Sequence, residues 1–344
     1  MSDSKTDVTH CFDDAIALAN AGKDLSASQT ASLIDAMLSG SADAEKVGQF
    51  LLALRAKGEA VSELVGAASA MRRHMTRIPH QHEILLDTCG TGGSGSGTFN
   101  ISTAVAIVSA ASGVAVAKHG NRKATSRTGS ADVLECLGVK IESDADAVAA
   151  CLDEIGICFC FAAKLHPAMR HVVGIRRSLA VPTLFNLLGP LCNPAGATHQ
   201  LLGTASESTQ QKMAAALTKL DTHRSFVIHA DDGQDEVALS GETICLEVSN
   251  HEVQESRWTP ADFGLTPAHV DSLAVPDPPA SARMIQEIFA GKLGAPRDTV
   301  IAGTAAALKL VGRVETLEQG AKRAAAAIDD GAAAEKLAQL VSRH

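Results

Sequence analysis

The sequence predicts an α/β protein: a helical N-terminal domain, then a larger α/β domain with a mostly parallel central sheet flanked by helices. Residues 11–77 repeat apolar side chains at helical spacing, and no strand pattern appears before Ile84. From Ile84 onward, short apolar runs alternate with helical stretches, the grammar of a parallel sheet covered on both faces. The 344 residues and 46% hydrophobic content are enough for two cored domains. The change of pattern places the helical domain at about 1–80 and the α/β domain at 81–344.

In the first part, Leu33, Ile34, Met37 and Phe50, Leu51, Leu54 carry the helical period. Ser26, Ser41 and Ser62 are expected N-caps, and Gly40 and Gly58 expected stops. Ile84–Leu86 reads as a first buried strand, followed by a glycine loop at 90–97 and a helix from Asn100 to Ser112. Val114–Ala117 reads as a second strand, followed by a helix over Ser130–Leu137. Further strands are expected at 157–162, 200–205, 225–230 and 243–248. The Pro-rich stretch 276–279 reads as a loop, and Ala-rich helices run from about 281 to the end.

Charge narrows the function. Thirty Lys and Arg against 39 Asp and Glu give a formal charge of −9. A general nucleic-acid or anionic-membrane binder needs surplus cations. Nine Phe, one Trp and no Tyr leave little for a base-stacking surface. Apolar stretches fall short of the roughly 20 residues of a spanning helix, and no signal pattern opens the chain. Eight scattered Cys without a CxxC pair predict reduced thiols, most of them buried, and a cytoplasmic protein.

The segment Asp87-Thr88-Cys89-Gly90-Thr91-Gly92-Gly93-Ser94-Gly95-Ser96-Gly97-Thr98-Phe99-Asn100-Ile101-Ser102-Thr103 carries the most chemistry. A strand enters, glycines let the backbone approach a ligand, and a helix leaves with its N–H groups aimed at an anion such as phosphate. Gly90, Gly92 and Gly95 fit G-x-G-x-x-G. A dinucleotide site, however, wants an acid about 20 residues later to hold the ribose. No Asp or Glu lies between Asp87 and Asp132, and no Gly-Lys-Ser/Thr follows the glycines, so neither a nicotinamide site nor a Walker A loop fits. That interval carries Lys118, Arg122, Lys123 and Arg127 instead, with Lys118-His119-Gly120-Asn121-Arg122 following the second strand. Two parallel strands would bring both clusters to one sheet edge, as a site for a strongly anionic phosphate ester.

The glycine loop ending in Phe-Asn-Ile-Ser-Thr and the Lys-His-Gly-Asn-Arg run together resemble the anthranilate phosphoribosyltransferase family of tryptophan biosynthesis. So do, in the family's order, Thr128–Leu134, His166-Pro167-Ala168-Met169-Arg170, Arg176-Arg177, Thr183–Pro194 and Asp235-Glu236-Val237. The wider superfamily, with its glycosyltransferase family 3-type fold, includes pyrimidine nucleoside phosphorylases that share the Lys-His-Gly-Asn type of loop. The Phe-Asn-Leu-Leu-Gly-Pro stretch points to the anthranilate branch. A phosphorylase-like enzyme, and a non-catalytic or nucleic-acid-binding relative, are the alternatives. Ser94 stands where the family usually has Asp.

The resemblance implies a pentosyltransferase that moves phosphoribose from phosphoribosyl pyrophosphate to the amine of anthranilate, releasing pyrophosphate. It implies Mg2+ as cofactor, a homodimer, and helices from about 165–195 that join the N-terminal domain. Carried onto matching positions, Gly90, Thr91, Gly92, Gly93, Thr98, Asn100, Ser102, Thr103, Lys118 and Ser130 would bind the donor. Gly90, Asn121, His166 and Arg176 would hold anthranilate, and Ser102, Asp235 and Glu236 would bind metal. No residue is assigned as acid or base; Lys118 and Arg176 would act electrostatically. An aromatic amine is already largely neutral at pH 7, so positioning and charge stabilisation carry the reaction.

Overall fold

The structure, a computed structural model, describes residues 3–123 and 127–343. The chain begins with α1 (Asp3–Asn20), α2 (Ala27–Leu38), α3 (Ala44–Lys57) and α4 (Val61–His74). It continues with β1 (Leu86–Gly90), α5 (Ile101–Ala111), β2 (Val116–Gly120), α6 (Ser130–Cys136), α7 (Ala145–Ile155) and β3 (Ile157–Phe161). Then come α8 (Ala162–Leu165), α9 (Arg170–Leu179), α10 (Phe185–Leu188), β4 (His199–Gly203), α11 (Glu207–Leu217) and β5 (Arg224–Ala230). After β6 (Thr243–Ser249) and β7 (Glu252–Trp258), helices α12 (Pro278–Phe289), α13 (Ala295–Leu310), α14 (Leu317–Asp329) and α15 (Ala332–Arg343) close the chain. The chain forms two compact units, Met1–Thr76 with Ala163–Pro194, and Arg77–Ala162 with Ala195–His344. Among the described residues, no helix is long and apolar enough to cross a membrane.

The first unit is helical. Leu33, Ile34, Met37, Phe50, Leu51 and Leu54 are all buried, and the rings of Phe12 and Phe50 meet edge to face at 5.7 Å. Ser26 caps α2 through a capping box with Gln29. The other two expected caps are displaced. Asp43 caps α3, where its carboxylate accepts from two backbone N–H groups, and Ser62 lies inside α4 with its hydroxyl turned to the Leu25 carbonyl at 2.6 Å. Gly58 caps α3 at φ +87°, and Gly40 follows α2 at φ +73°.

The second unit is built on a seven-stranded sheet in the order β3-β2-β1-β4-β5-β6-β7. The pairs from β3 to β5 are parallel, and β5-β6 and β6-β7 are antiparallel. Helix α5, apolar on all sides, is buried against α13; Gly303 of α13 leaves room for the Val105 side chain.

Three expectations need correction here. The first two strands run later than their apolar runs suggest. They continue through Asp87, Thr88, Lys118 and His119, which are buried and internally paired: the His119 N–H donates to Asp87 Oδ1 at 3.0 Å and Lys118 Nζ to the Thr88 carbonyl at 2.7 Å. Lys118, His119 and Gly120 therefore belong to β2 rather than following it. Strand β7 has no counterpart in the sequence reading, because six of its seven residues are exposed and carry no apolar alternation. Asn250 and His251, both at positive φ (50° and 64°), make the tight turn into it. Finally, Pro278 and Pro279 open α12 behind the N-cap Asp277, where a missing N–H costs nothing.

Candidate active site

Within the α/β unit the strand order reverses at β1, with β2 on one side and β4 on the other. In open sheets of this kind, ligands bind at such a switch point, outside the carboxyl ends of the strands. All three strands end there in glycine: Gly90, Gly120 and Gly203. A side chain at any of them would collide with what lies above. A Cβ on Gly120 would lie 2.0 Å from Ser130 Oγ, one on Gly90 3.0 Å from Asp235 Oδ2, and one on Gly203 1.8 Å from the Asp235 carbonyl oxygen.

The loop after β1 rises from this edge. Gly92, Gly93, Gly95 and Gly97 have φ of +66°, +89°, +67° and +65°, so the chain turns repeatedly through conformations that other residues avoid. Its base is tied on both sides. The Thr91 N–H donates to the Gly203 carbonyl at 2.9 Å, and the loop's exit is held by Phe99 N–H to the Leu273 carbonyl and Val275 N–H to the Gly97 carbonyl, both 2.9 Å. Thr98 lies in an antiparallel bridge to Ala274, and its carbonyl accepts from Thr128 Oγ1 at 3.3 Å. Asn100 caps α5, with Oδ1 accepting from the Thr103 N–H at 3.2 Å and the Thr103 hydroxyl at 2.5 Å. Its Nδ2 donates to the Thr128 carbonyl at 3.2 Å, which ties the loop to the chain before α6.

Lys118, buried in β2, sends Nζ to Ser102 Oγ at 3.1 Å as well as to Thr88. Burial holds its amine below the ordinary lysine range, against the pull of Asp87, Cys89 and Glu236. Glu236 is pushed up to about 8, first by burial and then by Asp235; Lys118 and the Ser102 backbone oppose the shift. The structure thus gathers Gly90–Gly93, Thr98, Asn100, Ser102, Thr103, Lys118, Asp235 and Glu236 at one end of the sheet. Ser130 lies at the start of α6 against Gly120, and Asn121 is exposed on the turn between β2 and α6. The basic run divides: Arg122 is committed to Glu135 and Asp132, an internal ion-pair network rather than a ligand contact.

His166 and Arg176 belong to the helical unit. His166 is buried just before a short turn of 3-10 helix, Pro167–Met169. Arg176, half-buried on α9, donates from Nη2 to Asn186 Oδ1 at 3.0 Å and stacks over the Phe185 ring at 5.4 Å. Its charge is offset by no carboxylate among the described residues, and burial lowers its pKa. Sequence reasoning passed over Gly203 and Asn186. Gly203 has no local signature, but the Phe185-Asn186-Leu187-Leu188-Gly189-Pro190 run contained Asn186 in plain view.

A helical bundle followed by an α/β unit, with an anion cradle at the strand ends, is the plan of a glycosyl transferase. The models of the glycosyl transferase family match accordingly, the helical bundle domain over residues 14–75 and the a/b domain over residues 82–334. An anthranilate phosphoribosyltransferase of Rhodopirellula baltica is 71% identical over 340 residues, covering 99% of each chain. The crystal structure of anthranilate phosphoribosyltransferase from Thermus thermophilus is 37% identical with a TM-score of 0.89, covering 96% of this chain and 99% of that one. The Saccharomyces cerevisiae enzyme, solved in complex with PRPP and Mg, is 28% identical with a TM-score of 0.85 over 93% of both chains. The chain belongs to the anthranilate phosphoribosyltransferase family.

Proposed function

We infer that the protein transfers phosphoribose from phosphoribosyl pyrophosphate to the amine of anthranilate, with Gly90–Gly93, Thr98, Asn100, Ser102, Thr103, Lys118 and Ser130 holding the donor. The observation that carries this reading is the convergence of a glycine cradle, a helix N-terminus, a buried lysine and an acid pair on one sheet edge. In the reaction the nitrogen of anthranilate bonds to C1 of the ribose as the C1–O bond to pyrophosphate breaks. The bonding pair leaves on the pyrophosphate, and the amine gives up a proton.

The residues fit a magnesium ion. Glu236 and Asp235 are adjacent acids whose mutual repulsion a divalent cation would relieve, and the backbone of Ser102 on α5 hydrogen-bonds to Glu236. Among the described residues no cluster of three or more His, Cys, Asp and Glu could hold a metal alone, which suits an ion that takes a few carboxylates and completes its shell with phosphate oxygens and water. Bound magnesium supplies charge neutralisation on the pyrophosphate. The chain's own part is to orient the donor with backbone N–H groups and to set the Lys118 ammonium against the departing charge. Within the helical unit, Arg176 and His166 are the groups assigned to anthranilate, the carboxylate going to the Arg176 guanidinium. The same reading takes the enzyme to be a homodimer.

Calorimetric titration of phosphoribosyl pyrophosphate into the protein tests the donor site. Saturable binding that tightens with magnesium, and mass-spectrometric detection of phosphoribosyl anthranilate once anthranilate is added, are expected. Absence of both overturns the reading.

A further inference from the structure

We propose that Asn186 is a positioning residue for acceptor recognition: it aims the Arg176 guanidinium while leaving its charge available for the acceptor's carboxylate. This rests on the assignment of Arg176 as that carboxylate's receptor. Asn186 Oδ1 accepts from the Thr183 N–H and from Arg176 Nη2, both at 3.0 Å, and the Asn186 N–H donates back to the Thr183 carbonyl at 2.8 Å. The reciprocal bond with Thr183 fixes the side chain, so its carbonyl oxygen faces the arginine. Phe185, the preceding residue, supplies the ring on which the guanidinium stacks. Two consecutive residues at the start of α10 thus hold the guanidinium by one edge and one face. Its remaining N–H donors are left for a second partner.

The neutrality of Asn186 is the informative feature. An aspartate would be nearly the same shape, would accept the same two hydrogen bonds and would turn the arginine bond into a stronger ion pair. For stability alone, the acid would serve at least as well. It would also neutralise Arg176 internally and place a negative charge beside any incoming carboxylate. An amide at this position holds the arginine without satisfying its charge, which is what a receptor for an anionic acceptor requires.

The test compares N186D with R176A and the wild type by steady-state kinetics and thermal unfolding. N186D is expected to unfold at or above the wild-type midpoint. Its KM for anthranilate should rise about 10- to 100-fold, its kcat should change less than about threefold and its KM for phosphoribosyl pyrophosphate should be unaltered. A purely structural Asn186 would leave the anthranilate KM of N186D at the wild-type value. That result, with R176A impaired, overturns the proposal while the receptor role of Arg176 survives. An anthranilate KM unchanged in R176A as well removes the receptor itself, and the proposal with it.

Discussion

Lys118 and Arg176 are the two cations of the account, and their settings differ. Lys118 is enclosed in β2 with two oxygen partners and the Asp87 carboxylate nearby, so its charge is held inside the donor site. Arg176 has a neutral partner and a ring, so its charge is unspent. Replacing Arg176 by Ala should cost about 1.5–3 kcal/mol of acceptor binding, roughly 10- to 150-fold in kcat/KM for anthranilate. Calorimetric affinity for the donor should stay at the wild-type value; loss of donor affinity instead would reassign the residue. Much of this was legible in the sequence. A carboxylate-free interval carrying Lys118 after a glycine loop already pointed to an anionic ester. The commitment of Arg122 to Asp132 and Glu135 was not legible, because a basic run looks the same whether or not a later helix supplies acids to pair with it.

At the scale of elements, the acid pair reaches the glycine cradle because β1 and β4 both end without side chains. The loop between β5 and β6 brings Asp235 there, folded on itself by Ala230 N–H to the Gln234 carbonyl at 3.1 Å and by Asp231 N–H to the Glu242 carbonyl at 3.0 Å. Gly203→Ala would drive a methyl group into the Asp235 carbonyl oxygen, so the loop must shift. A stability loss of about 1–3 kcal/mol is expected, by the usual cost of overpacking. Magnesium-dependent donor affinity should fall well beyond the change in a matched variant. Gly66→Ala, which meets the Ala27 carbonyl oxygen at 2.2 Å between α4 and α2, supplies that control. Equal donor affinities in the two variants would show that the strand end does not place the acids. Gly93 behaves differently. Its surroundings are open within 4 Å, but its φ is +89°, so Gly93→Val should fail on backbone conformation and on access. Calorimetry is expected to find no donor binding in that variant while urea unfolding stays cooperative; normal binding would contradict the cradle. Strand–helix alternation and the Ser26 cap could be read from local sequence. The strand ends at Gly90 and Gly120 could not, because buried polar residues near those ends broke the apolar signal.

For the whole molecule, part of the stability against acid comes from a group outside the site. His199, at the start of β4, is lowered to about 4 by burial and then by His223 and Arg224, and its Nδ1 lies 2.9 Å from Thr198 Oγ1. An unfolded histidine titrates near 6.5, so the unfolded state takes up this proton first as pH falls. The contribution is complete above about pH 6.5 and is lost progressively toward pH 4, the loss amounting to about 1–2 kcal/mol at pH 5. His199→Gln should flatten that part of the profile of urea midpoint against pH; an unchanged slope would place the acid sensitivity elsewhere. The ordered motifs from Asp87 to Val237 made the family legible, and the fold agrees with it from the helical bundle to the C-terminal helices. The most direct test of the central claim uses the fluorescence of anthranilate itself. When protein, magnesium and phosphoribosyl pyrophosphate are mixed with it, the signal should decay with time, and omission of the donor or chelation of the metal should stop the decay. A signal that stays constant in the complete mixture, or decays equally without donor or metal, would contradict the account.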